Sequence, residues 1–340
     1  MKTIALTAST LLVGLSCLAG PLKSASLILV SVRIVPGNLL GLEAVASDKF
    51  YAYCATYQGT LFVLDKSKKG LPVTAAVAVS ALPLHAVRSD GQCVYVTDAG
   101  GVLSVYSATK PFNHLASVQL SANGLDSLFV DQTTVIVARG EGEMAANGSV
   151  VCLAELNPGD TAVVLNKATL SETGELGQTF EDGVTSVYDR SNGHRIHRIP
   201  DPINRLGQTN QPALYLNNGV LLQTIVGPYG TGVTFSQPSS GAPLGSLSWP
   251  FANAAIELQS GFLAVGTEAG TVSLFDANGK LLSTINLRRL TGHNGPDAIE
   301  IRTLWEDPWT GDIYAGSSWS DPTAPSFFVL RVITRTLSNF

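Results

Sequence analysis

The sequence predicts an all-β chain built from a four-stranded unit repeated seven times around a ring. Three observations carry that expectation. Helical periodicity is almost absent, and short runs rich in Val, Leu, Thr and Tyr alternate with Gly, Asp, Asn and Pro turn signals. A seven-residue pattern recurs along the whole length. Of the 340 residues 45% are hydrophobic and only 14% charged, which is ample apolar surface to bury and too little charge for a disordered chain.

The N-terminus reads as an export signal. Lys2 supplies a short positive region, Ile4 to Leu18 is an uncharged apolar run, and Cys17-Leu18-Ala19 places small residues before a cleavage point at Gly20. Residues 1–19 are therefore expected to be a signal peptide, and 20–25 a short linker. A lipoprotein would acylate Cys17, but Gly14-Leu15-Ser16 fits that processing poorly. No later segment has the roughly 18 continuous apolar residues of a membrane helix. The expected location is extracellular, or periplasmic in a bacterium. Cys54, Cys93 and Cys152 remain after cleavage. Each sits in an apolar strand-like run at no metal-binding spacing, so they read as small buried hydrophobes rather than ligands. Asn147-Gly148-Ser149 is a glycosylation sequon in a loop.

Ser26 to Val35 (SLILVSVRIV) is a strand with no unit of its own. The units follow it. Their anchors are Gly59–Asp65 (GTLFVLD), Gly101–Ser107 (GVLSVYS), Gly148–Ala154 (GSVVCLA), Gly183–Asp189 (GVTSVYD), Gly230–Ser236 (GTGVTFS), Gly270–Asp276 (GTVSLFD) and a degenerate Pro325–Arg331 (PSFFVLR). The intervals are 42, 47, 35, 47, 40 and 55 residues. A period near 44 suits four short strands. Most units show a strand before the anchor, another before that, and one after; Asp276-Ala-Asn-Gly279 is a tight turn into the last strand of unit six. The seventh anchor runs nearly to the C-terminus and leaves no room for a fourth strand. The orphan Ser26–Val35 is therefore expected to supply it, hiding two open sheet edges.

With this period and strand pattern the chain resembles seven-bladed β-propellers of the broad class that includes WD40-like, quinoprotein-like and lactonase-like members. The resemblance covers about residues 26–340, expected as one domain. The Trp-Asp dipeptide of WD40 repeats is missing from the anchors, as are a tryptophan-docking signature and a haem-attachment motif.

In a propeller the first strand of each blade lines the central channel. Aligning these strands superposes Glu43–Asp48, His85–Asp90, Asp126–Asp131 and Arg302–Asp307 without gaps. The first position of this frame is Arg302, Glu43, His85 and Asp126 in four consecutive blades. In blades five and six the equivalent falls near Ala213 and Ala255, which makes the opposite sector small and apolar. His85 suits a general acid or base. Glu43 would orient it or hold the other proton, Arg302 would grip a substrate carboxylate, and Asp126 would bind a hydroxyl or a metal. Loops on the same face add Arg139, Arg205, Tyr229, Arg289, His293 and Trp319 as binding candidates. His194-Arg195-Ile-His197-Arg198 belongs to the outer strand of blade four and reads as a charged edge.

No cofactor is expected. Calcium held by the channel carboxylates is the weaker alternative: it wants six to eight oxygens, and no Asp-x-Asp-x-Asp loop adds to them. With a net charge of −5 and no dense Lys/Arg cluster, nucleic acid is not an expected partner. The expected partner is a small polar or acidic ligand, or a glycan, bound by a monomer. Two functions fit: a lyase, cyclase or lactonase acting on a carboxylate- or sugar-containing substrate, as the resemblance to lactonase-like propellers implies, and a non-catalytic extracellular module that binds a protein or glycan. A redox scaffold trails both, because nothing in the sequence supplies the cofactor.

Overall fold

The computed structural model describes residues 23–35, 41–119, 125–130, 134–139, 150–154, 169–172, 184–188, 195–200, 214–215, 221–225, 232–236, 243–248, 252–295, 298–318 and 323–336. The expected signal peptide, the sequon, Arg205, Tyr229 and Trp319 lie outside this set. The first strand, β1 (Lys23–Arg33), begins three residues before Ser26, so Lys23 to Ala25 belong to the strand rather than to a linker.

The described strands form seven antiparallel sheets in chain order. The first blade holds β2 (Leu42–Ser47), β3 (Tyr51–Thr56), β4 (Thr60–Asp65) and β5 (Val73–Ala78). The second holds β6 (Leu84–Ser89), β7 (Cys93–Asp98), β8 (Val102–Ser107) and β9 (His114–Gln119). The third shows β10 (Leu125–Val130), β11 (Thr134–Arg139) and β12 (Val150–Ala154). The fourth shows β13 (Thr169–Glu172), β14 (Val184–Tyr188) and β15 (Arg195–Pro200), with the basic β15 at its edge. The fifth is β16 (Leu214–Tyr215), β17 (Leu221–Ile225), β18 (Gly232–Ser236) and β19 (Pro243–Ser248). The sixth is β20 (Ala252–Glu257), β21 (Leu263–Thr267), β22 (Thr271–Phe275) and β23 (Leu281–Asn286). The last combines β24 (Glu300–Glu306), β25 (Asp312–Ser318) and β26 (Phe327–Thr336) with β1, which pairs antiparallel to β26 from Lys23↔Thr336 to Arg33↔Phe327. The orphan strand thus lies where the sequence places it.

The anchor glycines have a common cause. Gly59, Gly101 and Gly270 close the turn between the second and third strands, each donating its N–H to the carbonyl three residues back at 3.1 Å. All three have positive φ, between 70° and 81°. At Gly59 an added Cβ would stand 2.0 Å from the Ser80 carbonyl oxygen, so both the dihedral and the space demand glycine.

The conserved spacing at the other end of the frame has a different cause. Asp48 accepts from the amides of Phe50 (2.7 Å) and Tyr51 (2.8 Å) and from the Tyr53 hydroxyl (2.5 Å). Asp90 repeats this with Gln92, Cys93 and Tyr95, and Asp307 with Trp309 and Tyr314. One carboxylate therefore caps the first hairpin turn and ties a tyrosine of the second strand to it. These aspartates build the blade.

Neighbouring blades bury their faces against each other. Leu84, Val87 and Val96 pack on Ala44, Tyr53 and Val63 between blades one and two. Leu42, Val45 and Leu64 pack on Tyr314 and Phe327 between blades one and seven. Leu27 of β1 joins Leu274, Ile301 and Phe328 between blades six and seven. Cys54 and Cys93 are free thiols; Cys54 is fully buried, which pushes its thiol pKa up. The side chain of Cys152 lies outside the description. The inner strands β20, β24, β2, β6 and β10 stand side by side in that order. No described helix is long and apolar enough to cross a membrane.

Candidate functional site

Every inner strand just named carries a register shift at its start, and the shift isolates one residue. The ladder skips from Leu42 to Ala44, Leu84 to Ala86, Leu125 to Ser127, Ala252 to Ala254 and Ile301 to Thr303. The skipped residues are Glu43, His85, Asp126, Asn253 and Arg302. A bulge residue has no cross-strand partner and re-aims its side chain, a device common beside functional sites. The aligned frame thus marks a real backbone feature, one bulge near the start of each of these five inner strands.

Asn253 corrects the expectation for blade six. The equivalent position is Asn253, two residues before Ala255, so blade six is polar there; the blade-five position near Ala213 lies outside the described residues. The frame is hard to see there because Leu258 stands where the other blades have the capping aspartate.

The polar groups meet around Glu300, which precedes the frame and escapes the alignment. Its Oε1 accepts from the Asn253 side-chain amide at 2.8 Å and pairs with Arg302 Nε at 2.9 Å. Its backbone N–H donates to Ser317 Oγ at 3.1 Å, and Arg302 Nε also reaches Ser318 Oγ at 3.3 Å. Burial raises the Glu300 carboxyl above the usual glutamate range. Arg302 opposes that rise, and Glu268 and Glu43 add to it. Asn253 is fully buried, and its Oδ1 has no hydrogen-bond partner. Glu300 and Ser318 both engage Arg302 through its Nε.

Glu43 and His85 occupy the same bulge position on adjacent strands β2 and β6, both half-buried and both with partners. Asp126 takes that position on β10 and Arg139 ends β11; their side chains lie outside the description. Arg289 and His293 sit at the rim. The segment read as a loop forms a short helix there, α1 (Leu287–Thr291), capped by the Asn286 side chain accepting from the Arg289 amide at 2.9 Å. Arg289 is exposed and His293 half-exposed. Arg288 pins the helix to the mouth through Ile299 O (2.9 Å) and Glu268 O (2.5 Å). Among the described residues no group of three His, Cys, Asp or Glu side chains could hold a metal ion.

No protein family matches this chain, and no curated protein does either. Among solved structures it is similar to the WD40 β-propeller domain of Doa1, with a TM-score of 0.64 at 15% identity, over 89% of this chain and 96% of that one. At that identity the likeness shows the fold, a β-propeller, and nothing of the chemistry.

Proposed function

We propose that the chain is an exported β-propeller of seven blades, closed by the β1–β26 pair, that binds a polar ligand at the mouth of its central channel without covalent chemistry. The observation that carries this reading is the alignment of bulge residues Asn253, Arg302, Glu43 and His85 on four consecutive inner strands, beside the buried carboxylate of Glu300. Side chains released from the sheet ladder can face a ligand rather than a neighbouring strand. The orphan acceptor on Asn253 gives the mouth an unmet hydrogen bond.

Isothermal titration of soluble glycans and lactones against wild type and Glu43→Gln tests the reading. A ligand whose affinity drops at least tenfold in the variant, with unchanged circular dichroism, is expected. Turnover of a lactone or uronate-containing glycan that His85→Ala abolishes would replace binding with catalysis. Export is tested by N-terminal sequencing of the secreted protein, which should begin near Gly20. A chain starting at Met1 would refute it, and a block at Cys17 would identify a lipoprotein.

A further inference from the structure

Beyond the mouth, a second pair of side chains meets within the channel. Three residues further along the inner strands, roughly 10 Å at 3.2–3.4 Å per residue, Arg88 of β6 lies over Trp305 of β24. The guanidinium carbon is 4.9 Å from the ring centre. These strands belong to blades two and seven, with β2 of blade one between them. Because blades radiate from the axis, such a contact passes in front of β2, on its channel side. At that level β2 carries only the small, buried Ala46, which leaves room for the indole. Trp305 is held by its Nε1–H donating to Ser47 Oγ at 2.9 Å.

Arg88 is under-used. A guanidinium has five N–H donors. Here one bond is made, from Nη1 to the Val87 carbonyl at 2.7 Å. Among the described residues no carboxylate forms an ion pair with it. The side chain is half-buried and desolvated enough that its pKa is pushed down to about 10. A cation taken from water without an acid partner is costly, and stacking on an indole offsets only part of that cost. The one bond from Nη1 leaves the edge formed by Nε and Nη2 without a hydrogen-bond partner.

We propose that Arg88, lying against Trp305, is an anion subsite inside the channel that takes the carboxylate of a small organic acid. Two parallel N–H donors on one edge match a carboxylate, which is the bidentate geometry lysine cannot reproduce. The subsite shares no residue with the mouth, so it stands or falls separately from binding there.

The test is titration calorimetry of the secreted protein at low salt with acetate, D-glucuronate and neutral D-glucose. At least one carboxylate should bind and glucose should not. Arg88→Gln should weaken the carboxylate at least tenfold while the melting temperature holds or rises, because an uncompensated charge has been removed. Arg88→Lys keeps the charge and loses the fork; it should weaken binding at least threefold, and it remains informative if the Gln variant folds poorly. Three results overturn the proposal: no carboxylate binding to wild type, glucose binding as tight as glucuronate, or a folded Arg88→Lys variant that binds like wild type. A ligand that responds to Glu43→Gln and not to Arg88 variants would leave the mouth reading standing and remove this one.

Discussion

Lys66 is the test of how the first and last blades are joined. It follows β4 in blade one, and its ammonium lies 2.6 Å from Asp307 Oδ2 of blade seven, with side-chain exposures of 6% and 0%. It also donates to the Asp48 carbonyl at 2.5 Å and lies 5.1 Å from the centre of the Trp309 ring. Asp307 in turn accepts from Tyr314 and the Trp309 amide. Burial pushes the Asp307 carboxyl up, but the bonds from Lys66, Tyr314 and Trp309 outweigh it and hold the carboxyl below its ordinary range. Lys66→Met leaves that carboxylate buried without its cation, which costs about 3–5 kcal/mol. Counting only the 221 described residues at roughly 2.1 cal/mol/K of unfolding entropy each, that lowers the melting temperature by about 6–11 °C. Adding Asp307→Asn to Lys66→Met removes the stranded charge and should recover much of the loss, a coupling readable in a double-mutant cycle. Asp307 is depressed in the folded state. The stability it adds is therefore fully present above the unfolded value, near pH 4, and is lost as pH falls through the lower folded value. Lys66→Met should flatten that acid limb of the melting profile. A loss below about 1 kcal/mol, or strict additivity in the cycle, would refute a buried bridge between the blades.

Two further outcomes follow from the geometry. Gly59→Ala must set a methyl 2.0 Å from the Ser80 carbonyl at positive φ, whereas Gly91→Ala meets open space at φ +88°; chemical denaturation should show roughly 1–2 kcal/mol for Gly91, and clearly more for Gly59. Glu300 behaves oppositely to Asp307. Its carboxyl is raised, so its charged form is disfavoured by folding, and stability falls as pH climbs from the ordinary glutamate value through the folded one. The melting temperature of wild type relative to Glu300→Gln should therefore decline between pH 4 and 7, and a flat difference would contradict the desolvation of this carboxylate.

Much of the architecture is legible in the sequence because each blade repeats two chemical requirements. The positive-φ turn needs Gly59, Gly101 and Gly270, and the hairpin cap needs Asp48, Asp90 and Asp307. Those aspartates also index the inner strand, which is why Glu43, His85 and Arg302 align and prove to share a bulge. Where the cap is absent, at Leu258, the index is lost and Asn253 is overlooked. Glu300 is missed for another reason: it lies outside the repeating frame and reaches the mouth through its side chain. Arg88 and Trp305 sit within the frame at its fourth position, but nothing local tells a reader that residues 217 apart meet across an intervening blade. Periodicity reports the backbone; cross-blade side-chain contacts depend on what the blade between leaves open, here the methyl of Ala46.

The pairing of β1 with β26 also determines how the molecule responds to force. Lys23 stands opposite Thr336, so the outward-leading ends of the two strands emerge at the same end of one antiparallel ladder. Tension applied between the chain ends would load the Lys23–Thr336 rung first, then the next, and peel the ladder like a zipper rather than shearing all its bonds at once. The strand peeled away carries Leu27 out of its packing against blade six and breaks the bond from its amide to Ser283. The mechanical weak point is therefore the seam between the first and last strands, far along the chain from the cation that braces blades one and seven at Lys66.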